Sequence, residues 1–297
     1  MHIPDGFLSP PVWATLDLAA VGSVALVARR AQREIEGSGG RRVALLGVMG
    51  AFVFAAQMIN FPVGLGTSGH LVGGALLAVT LGPAAASIVM TAILILQAFV
   101  LQDGGILALG ANVCNMALAG VLAAYLPYRL WGRGRLWGRG RSRNAAIFAG
   151  GLASVALSAG LALTELRISG VPMPRPLLWI SLGVFLAAGV IEGAVTVAAV
   201  RAIERLNPLW IREPAPLRPR HIAGFALAAA LVVMLGISIA SSAPDALQNL
   251  LPVSSAAPAA IVNWPWTRKA LGGLAAMMLI YAACAMLGRR IARQRSA

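Results

Sequence analysis

Charge is scarce in this chain: of 297 residues only 11% are charged, 59% are apolar, and the mean hydropathy is +0.80. A soluble domain carries about 25% charged residues, so a water-soluble enzyme is excluded. Lysine is all but missing, and the sole one, Lys269, follows Arg268. A phosphate-binding loop needs Gly-Lys-Ser/Thr, so any ATP-driven process must borrow its ATPase from another chain. The two cysteines, Cys114 and Cys284, lie in apolar runs and read as small core residues, not as a disulfide or a metal site. Short alternating segments of the β-barrel type are absent as well. Met1-His2-Ile3-Pro4-Asp5-Gly6 has no basic n-region and no cleavage site follows it, so the first residues are expected to be those of the mature protein.

What the chain has in abundance is long apolar runs. Nine can be marked, at 12–28, 43–60, 71–81, 84–101, 106–126, 145–163, 177–200, 222–240 and 270–287. Nearly all reach across a hydrocarbon core of about 30 Å. The expected fold is an all-α integral membrane protein, a polytopic bundle of about nine transmembrane helices in the cell membrane. Arginine sets its orientation, because short Arg-rich loops stay in the cytoplasm. Five Arg lie between the first two spans, six follow the fifth, five follow the seventh and four end the chain. This places the N-terminus outside and the C-terminus inside, with a hairpin at Gly82-Pro83. The same location explains the net charge of +14 and the repeated Arg-Leu-Trp-Gly-Arg-Gly at 129–140 without nucleic acid. The third span has eleven residues and reaches only about 16 Å. The loop at 61–70 must therefore dip into the membrane, where irregular backbone is tolerated only inside protein or along a cavity.

The first two residues form a chelator. The Met1 amine, the His2 amide nitrogen and His2 Nδ1 close fused rings around one metal, and three planar nitrogens favour Ni²⁺ or Cu²⁺ over Zn²⁺. A fourth ligand is needed. Of the three histidines, His70 falls on the same side as His2, in the loop that dips inward; His221 falls at the cytoplasmic start of the eighth span.

At these residues the sequence resembles the CbiM/NikM family, the substrate-capture (S) components of energy-coupling-factor (ECF) transporters for cobalt and nickel. The matching stretches are 1–10 (MHIPDGFLSP), 57–74 (QMINFPVGLGTSGHLVGG), 81–83 (LGP) and 102–116 (QDGGILALGANVCNM). The resemblance covers roughly 1–205 and implies that the N-terminal segment plugs into the bundle. It further implies that the metal is held by the Met1 amine, the His2 amide and imidazole, and His70. Residues 221–297 resemble the small two-span NikN-type partner, with the basic, Pro-rich stretch 206–220 as a cytoplasmic linker. The resemblance implies import of Ni²⁺ or Co²⁺ as substrate, no organic cofactor, and partners comprising a CbiQ/NikQ-like coupling subunit and a CbiO/NikO-like ATPase.

Other features allow two readings each. Asn60, Ser68, Asp103, Asn112 and Asn115 sit at outer span ends or beside them, where they either orient His70 and line the entrance or cap helices. Asp5 is expected to cap or order the plug. Gly47, Ala51 and Ala55 recur every fourth residue, as a docking face for a partner or as internal packing. Asp17 and Glu192 lie inside spans and should face the bundle interior. Gly64-Leu65-Gly66-Thr67-Ser68-Gly69 fits G-x-G-x-x-G but joins two spans, so it is no dinucleotide site. A passive divalent-cation channel would need acidic rings along a pore, and only Asp17 and Glu192 are within the spans. An intramembrane metalloenzyme would need a base beside its metal, and no H-E-x-x-H occurs.

Overall fold

The computed structural model describes residues 1–36, 41–58, 60–64, 67–131 and 141–206, with side chains over 1–33, 45–58, 70–131 and 143–206. The expected eighth and ninth spans, the C-terminal part 221–297, and all but the first residue of the linker 206–220 lie outside the described residues.

Each of the first seven apolar runs contains a helix. α1 is Pro10–Glu36, α2 is Arg41–Gln57, α3 is Gly74–Leu81 and α4 is Pro83–Leu96, which runs on into a π-helical turn at Gln97–Leu101. α5 (Leu109–Asn112), a second π-helical segment (Val113–Gly120) and α6 (Val121–Trp131) form one continuous rod, followed by α7 (Arg141–Ile168) and α8 (Arg175–Leu206). Five of the rods are long and apolar enough to cross a membrane: Pro10–Arg33, Pro83–Leu101, Leu109–Trp131, Arg143–Ile168 and Arg175–Leu206; the apolar stretch Leu45–Gln57 is shorter. Only 6% of the α1 stretch is buried within the protein, against 67% for Pro83–Leu101. α1 is thus peripheral and turns Leu18, Val21 and Leu26 outward, while α3 and α4 form the centre.

Three expectations need correction. The expected irregular loop at 61–70 is largely paired: β1 (Asn60–Gly64) and β2 (Thr67–His70) run antiparallel, with Asn60 opposite His70 and a register shift between Pro62 and Gly64, so the described residues include a small hairpin among the helices. Pairing supplies partners for backbone groups that would otherwise lack them inside the protein. The third helix begins only at Gly74; with eight residues it spans about 12 Å, and all but Thr80 are buried. The helix does break at Gly82-Pro83, and α3 and α4 on either side of it pack against each other. The stripe Gly47, Ala51 and Ala55 is buried on α2, with Ala51 and Ala55 in the main core cluster. Of the two readings of this stripe, its burial favours internal packing. Finally, α7 runs past 163 to Ile168 and thereby brings Glu165 into the bundle.

α7 and α8 make the most extensive helix pair. Their axes approach closely because glycines meet: a Cβ on Gly151 would stand 2.6 Å from Gly193 Cα, the small-residue contact by which membrane helices associate. At one end Arg143 pairs with Glu204 and lies 5.9 Å over the Tyr128 ring, joining α6, α7 and α8. Gly151→Val should force α7 and α8 apart and lower stability by about 1–3 kcal/mol, read as thermal unfolding in detergent. Gly160→Ala, where a Cβ meets nothing within 4 Å, should melt no lower than the native chain. Equal melting of the two variants would contradict the close approach.

Candidate metal centre

The first nine residues stay non-helical because Pro4 and Gly6 interrupt them, and their apolar side chains turn inward. Ile3 (0% exposed), Phe7 and Leu8 are buried against Ala108 and Ala111, Leu163 and Leu166 of α7, and Val184 and Phe185 of α8. Polar ties fix this plug. Ile3 N–H donates to Asn112 Oδ1 at 2.8 Å, and Asn112 Nδ2 donates back to Ile3 O at 3.1 Å. Gly105 N–H also donates to Ile3 O, at 2.9 Å. The Asp5 carboxylate accepts from the N–H groups of Ile106, Leu107 and Ala108 at 3.0, 2.8 and 3.3 Å. These amides precede α5 and would otherwise lack partners. A Cβ on Gly105 would collide with Asp5, so only glycine admits the plug this closely. From α1, Asp17 accepts from Gly110 N–H at 2.7 Å and so braces α5 from the other side.

The plug brings the start of the chain to the end of the hairpin. Met1 N lies 3.1 Å from His70 Nε2, across 69 residues of sequence. His70 Nδ1 lies 3.0 Å from Leu71 O; with the proton on Nδ1 it donates there, leaving the Nε2 lone pair facing Met1, the arrangement a metal-binding imidazole needs. Burial, then the adjoining Met1 ammonium and the His2 ring, push the His70 imidazole down to about 4. The rings of His2 and His70 are near-parallel at 9°, with centroids 5.2 Å apart.

His2 is 5% exposed, and neither ring nitrogen has a hydrogen-bond partner among the described residues. Its Nδ1 stands 3.3 Å from Asp103 Oδ1, an ion-pair distance without hydrogen-bond alignment. A buried imidazole left in this state calls for an explanation, and an ion is among the ordinary ones. The Asp103 side chain is 46% exposed at the rim. Partial burial opposes its charge, but the neighbouring imidazoles and terminal amine outweigh this and hold the carboxyl below its ordinary range.

Met1, His2, His70, Asp103 and Asn112 therefore meet, with Asp5 one step removed. Asn60 reaches the site through its backbone pairing with the His70 strand; the side chains of Asn60 and Ser68 lie outside the described residues. Among the described residues no three His, Cys, Asp or Glu side chains gather as a cation cage. An ion between His2 and His70 would thus have to draw on terminal and backbone nitrogen as well. Two contributors escape sequence reasoning. Gly104 packs against His2, its Cβ position 3.2 Å from His2 Cβ. Glu192 of α8 accepts from Val72 and Gly73 just past His70; its intramembrane position drew attention, but nothing linear links it to residues 120 positions away. The buried Asn115–Glu165 contact at 2.8 Å lies one helical turn beyond Asn112.

Residues 2–210 match the CbiM family, described as the cobalt uptake substrate-specific transmembrane region. The fused nickel transport protein NikMN of Rhodobacter capsulatus is 36% identical over 263 residues, covering 82% of this chain and 74% of that protein. The cobalt transport protein CbiM of Chlorobium limicola is 37% identical over 130 residues, 44% of this chain and 51% of that one. A solved crystal structure of a transition metal transporter superposes with a TM-score of 0.53 at 30% identity, covering 71% of this chain and 96% of that chain.

The plug's own anchor is testable. Asn112→Leu leaves the buried Ile3 N–H unmatched and takes away one of the two donors to Ile3 O, at a cost of about 1–3 kcal/mol. Limited aminopeptidase digestion should trim this variant and spare the native protein; equal resistance would contradict the anchoring role.

Proposed function

The chain belongs to the CbiM family, and from that premise we propose that it is the S component of an ECF-type importer that captures Ni²⁺ or Co²⁺ in a square-planar set of four nitrogens. Cobalt and nickel transport, without enzymatic turnover, is common ground with its relatives. The finer reading rests chiefly on one observation: the Met1 nitrogen stands 3.1 Å from His70 Nε2, beside a buried His2 whose ring nitrogens lack hydrogen-bond partners among the described residues. Neighbouring donors on one metal, with bonds of about 2.0 Å at right angles, are about 2.8 Å apart. The Met1 to His70 distance is therefore close to what a shared ion requires.

In this reading the ion replaces the proton-mediated contact between Met1 and His70. The Met1 amine, the deprotonated His2 amide and His2 Nδ1 wrap three sides, and His70 Nε2 closes the fourth. Asp103, negative and half exposed, draws the cation in and then offsets its charge. Asn112 and Asp5 hold the plug that carries three of the four donors. The bundle sits in the cell membrane with the N-terminus outside and the C-terminus inside, and residues 221–297 add two further spans behind a linker at 206–220. A CbiQ/NikQ-like subunit and a CbiO/NikO-like ATPase supply the drive, since the chain has no phosphate-binding loop of its own.

Two measurements test this. One residue added before Met1 moves the amine out of the chelate, so the extended protein and His70→Ala should both lose nickel and cobalt affinity beyond the 10- to 100-fold typical of an outer partner. Native-like binding by the extended protein would refute the ligand set. Affinity should also fall as pH is lowered, because the amine and amide must shed protons before they can bind. The His70 ring, held to about 4, is neutral through the neutral range, so the loss above pH 5 should persist in His70→Ala. A pH-independent native affinity between pH 5 and 8 would contradict it.

A further inference from the structure

His70 is the one proposed ligand outside the plug, and its strand is short and ends at the ring. Its place in space is set by the three residues that follow. Leu71 O meets His70 Nδ1 at 3.0 Å and orients the ring. Val72 N–H donates to Glu192 Oε2 and Gly73 N–H to Glu192 Oε1, both at 2.8 Å. Val72 O accepts from Gln57 Nε2 at 2.5 Å, and Gln57 Oε1 in turn accepts from Gln97 Nε2 at 2.8 Å. Gly73 has φ +72°, and a Cβ there would collide with Val53; no other residue takes this turn into α3 without strain. The side chains that grip the segment are deep in the protein: Gln57, Gln97 and Glu192 are 1–3% exposed.

Helix capping alone explains part of this, since Val72 and Gly73 lie at the α3 N-terminus, where unpaired amides and the helix dipole favour an anion. An ordinary cap comes from a residue next to the helix. Here it comes from α8, 119 and 120 residues away, and it grips the segment adjoining a ligand. From this geometry we infer that Glu192 is a positioning residue for metal capture: it holds Leu71–Gly73 so that His70 Nε2 points at the Met1 nitrogen. The inference rests on the ligand set proposed above. Both carboxylate oxygens are needed, because the two amides each take one. A carboxamide offers a single acceptor and turns an N–H toward an N–H.

Glu192→Gln should therefore weaken nickel binding by about 10- to 100-fold, while His70→Ala loses more. Copper(II) supplies a readout that folding alone does not move. The folded, copper-loaded Glu192→Gln protein should have its visible absorption shifted to longer wavelength, toward that of His70→Ala, because the fourth nitrogen no longer holds its place. Glu192→Asp, which keeps two oxygens on a shorter stem, should recover part of the affinity and of the band position. If Glu192→Gln binds and absorbs as native does while His70→Ala does not, the positioning role is overturned and the ligand set stands. If His70→Ala is also native-like, the ligand set itself falls. Should neither Glu192 variant fold, hydrogen exchange on the native chain decides. Nickel should slow exchange at Val72 and Gly73 if clasp and ligand are one unit, and an unchanged rate overturns the inference.

Discussion

The structure depends on one demand: a chain terminus, polar and charged, is held inside a membrane bundle. An unpartnered polar group there costs several kcal/mol, so the protein must receive it with matched groups. Asn112 answers the two backbone groups of Ile3, Asp5 answers three amides ahead of α5, and Gly105 lets the chains touch. Ile3, Phe7 and Leu8 supply the apolar burial that keeps the plug seated. With the plug seated, the Met1 nitrogen faces His70 without further adjustment.

The helical core serves the same end from the other side. α3 is too short to cross a bilayer by itself, and the hairpin β1–β2 that precedes it packs against α8. Just past His70, Gln57 of α2 and Glu192 of α8 hold Val72 and Gly73, with Gln97 backing Gln57. Two groups distant in sequence are thus fixed by separate sets of buried polar contacts: the plug by α5 and the residues before it, the hairpin by α8 and the Gln pair. Such networks define position well when fully satisfied. Two buried groups in these networks have no hydrogen-bond partner among the described residues: Gln97 Oε1 and the ring nitrogens of His2, whose Nδ1 lies 3.3 Å from Asp103.

Much of this was legible in the sequence. Apolar runs marked the first seven helices, and the approach of Met1 to His70 followed from donor chemistry. The hairpin was not legible, because 60–70 is rich in Gly and Pro and lacks the alternation that marks a strand. The burial of Gly47, Ala51 and Ala55 was open, since a small-residue stripe serves an internal neighbour as well as an external one. Glu192 was visible as an expensive intramembrane charge, but its partners are backbone amides, which leave no mark in composition. The end of α7 was set too early because Glu165 interrupts the apolar run; its contact with Asn115 removes the reason to exclude it.

The central claim is that the first nitrogen of the chain is a donor in a flat four-nitrogen site. X-ray absorption at the nickel edge of the loaded native protein tests it most directly. The account predicts a planar shell of four nitrogens, with the intense pre-edge feature that four-coordinate planar nickel gives and octahedral nickel does not. A six-coordinate shell rich in oxygen would contradict it.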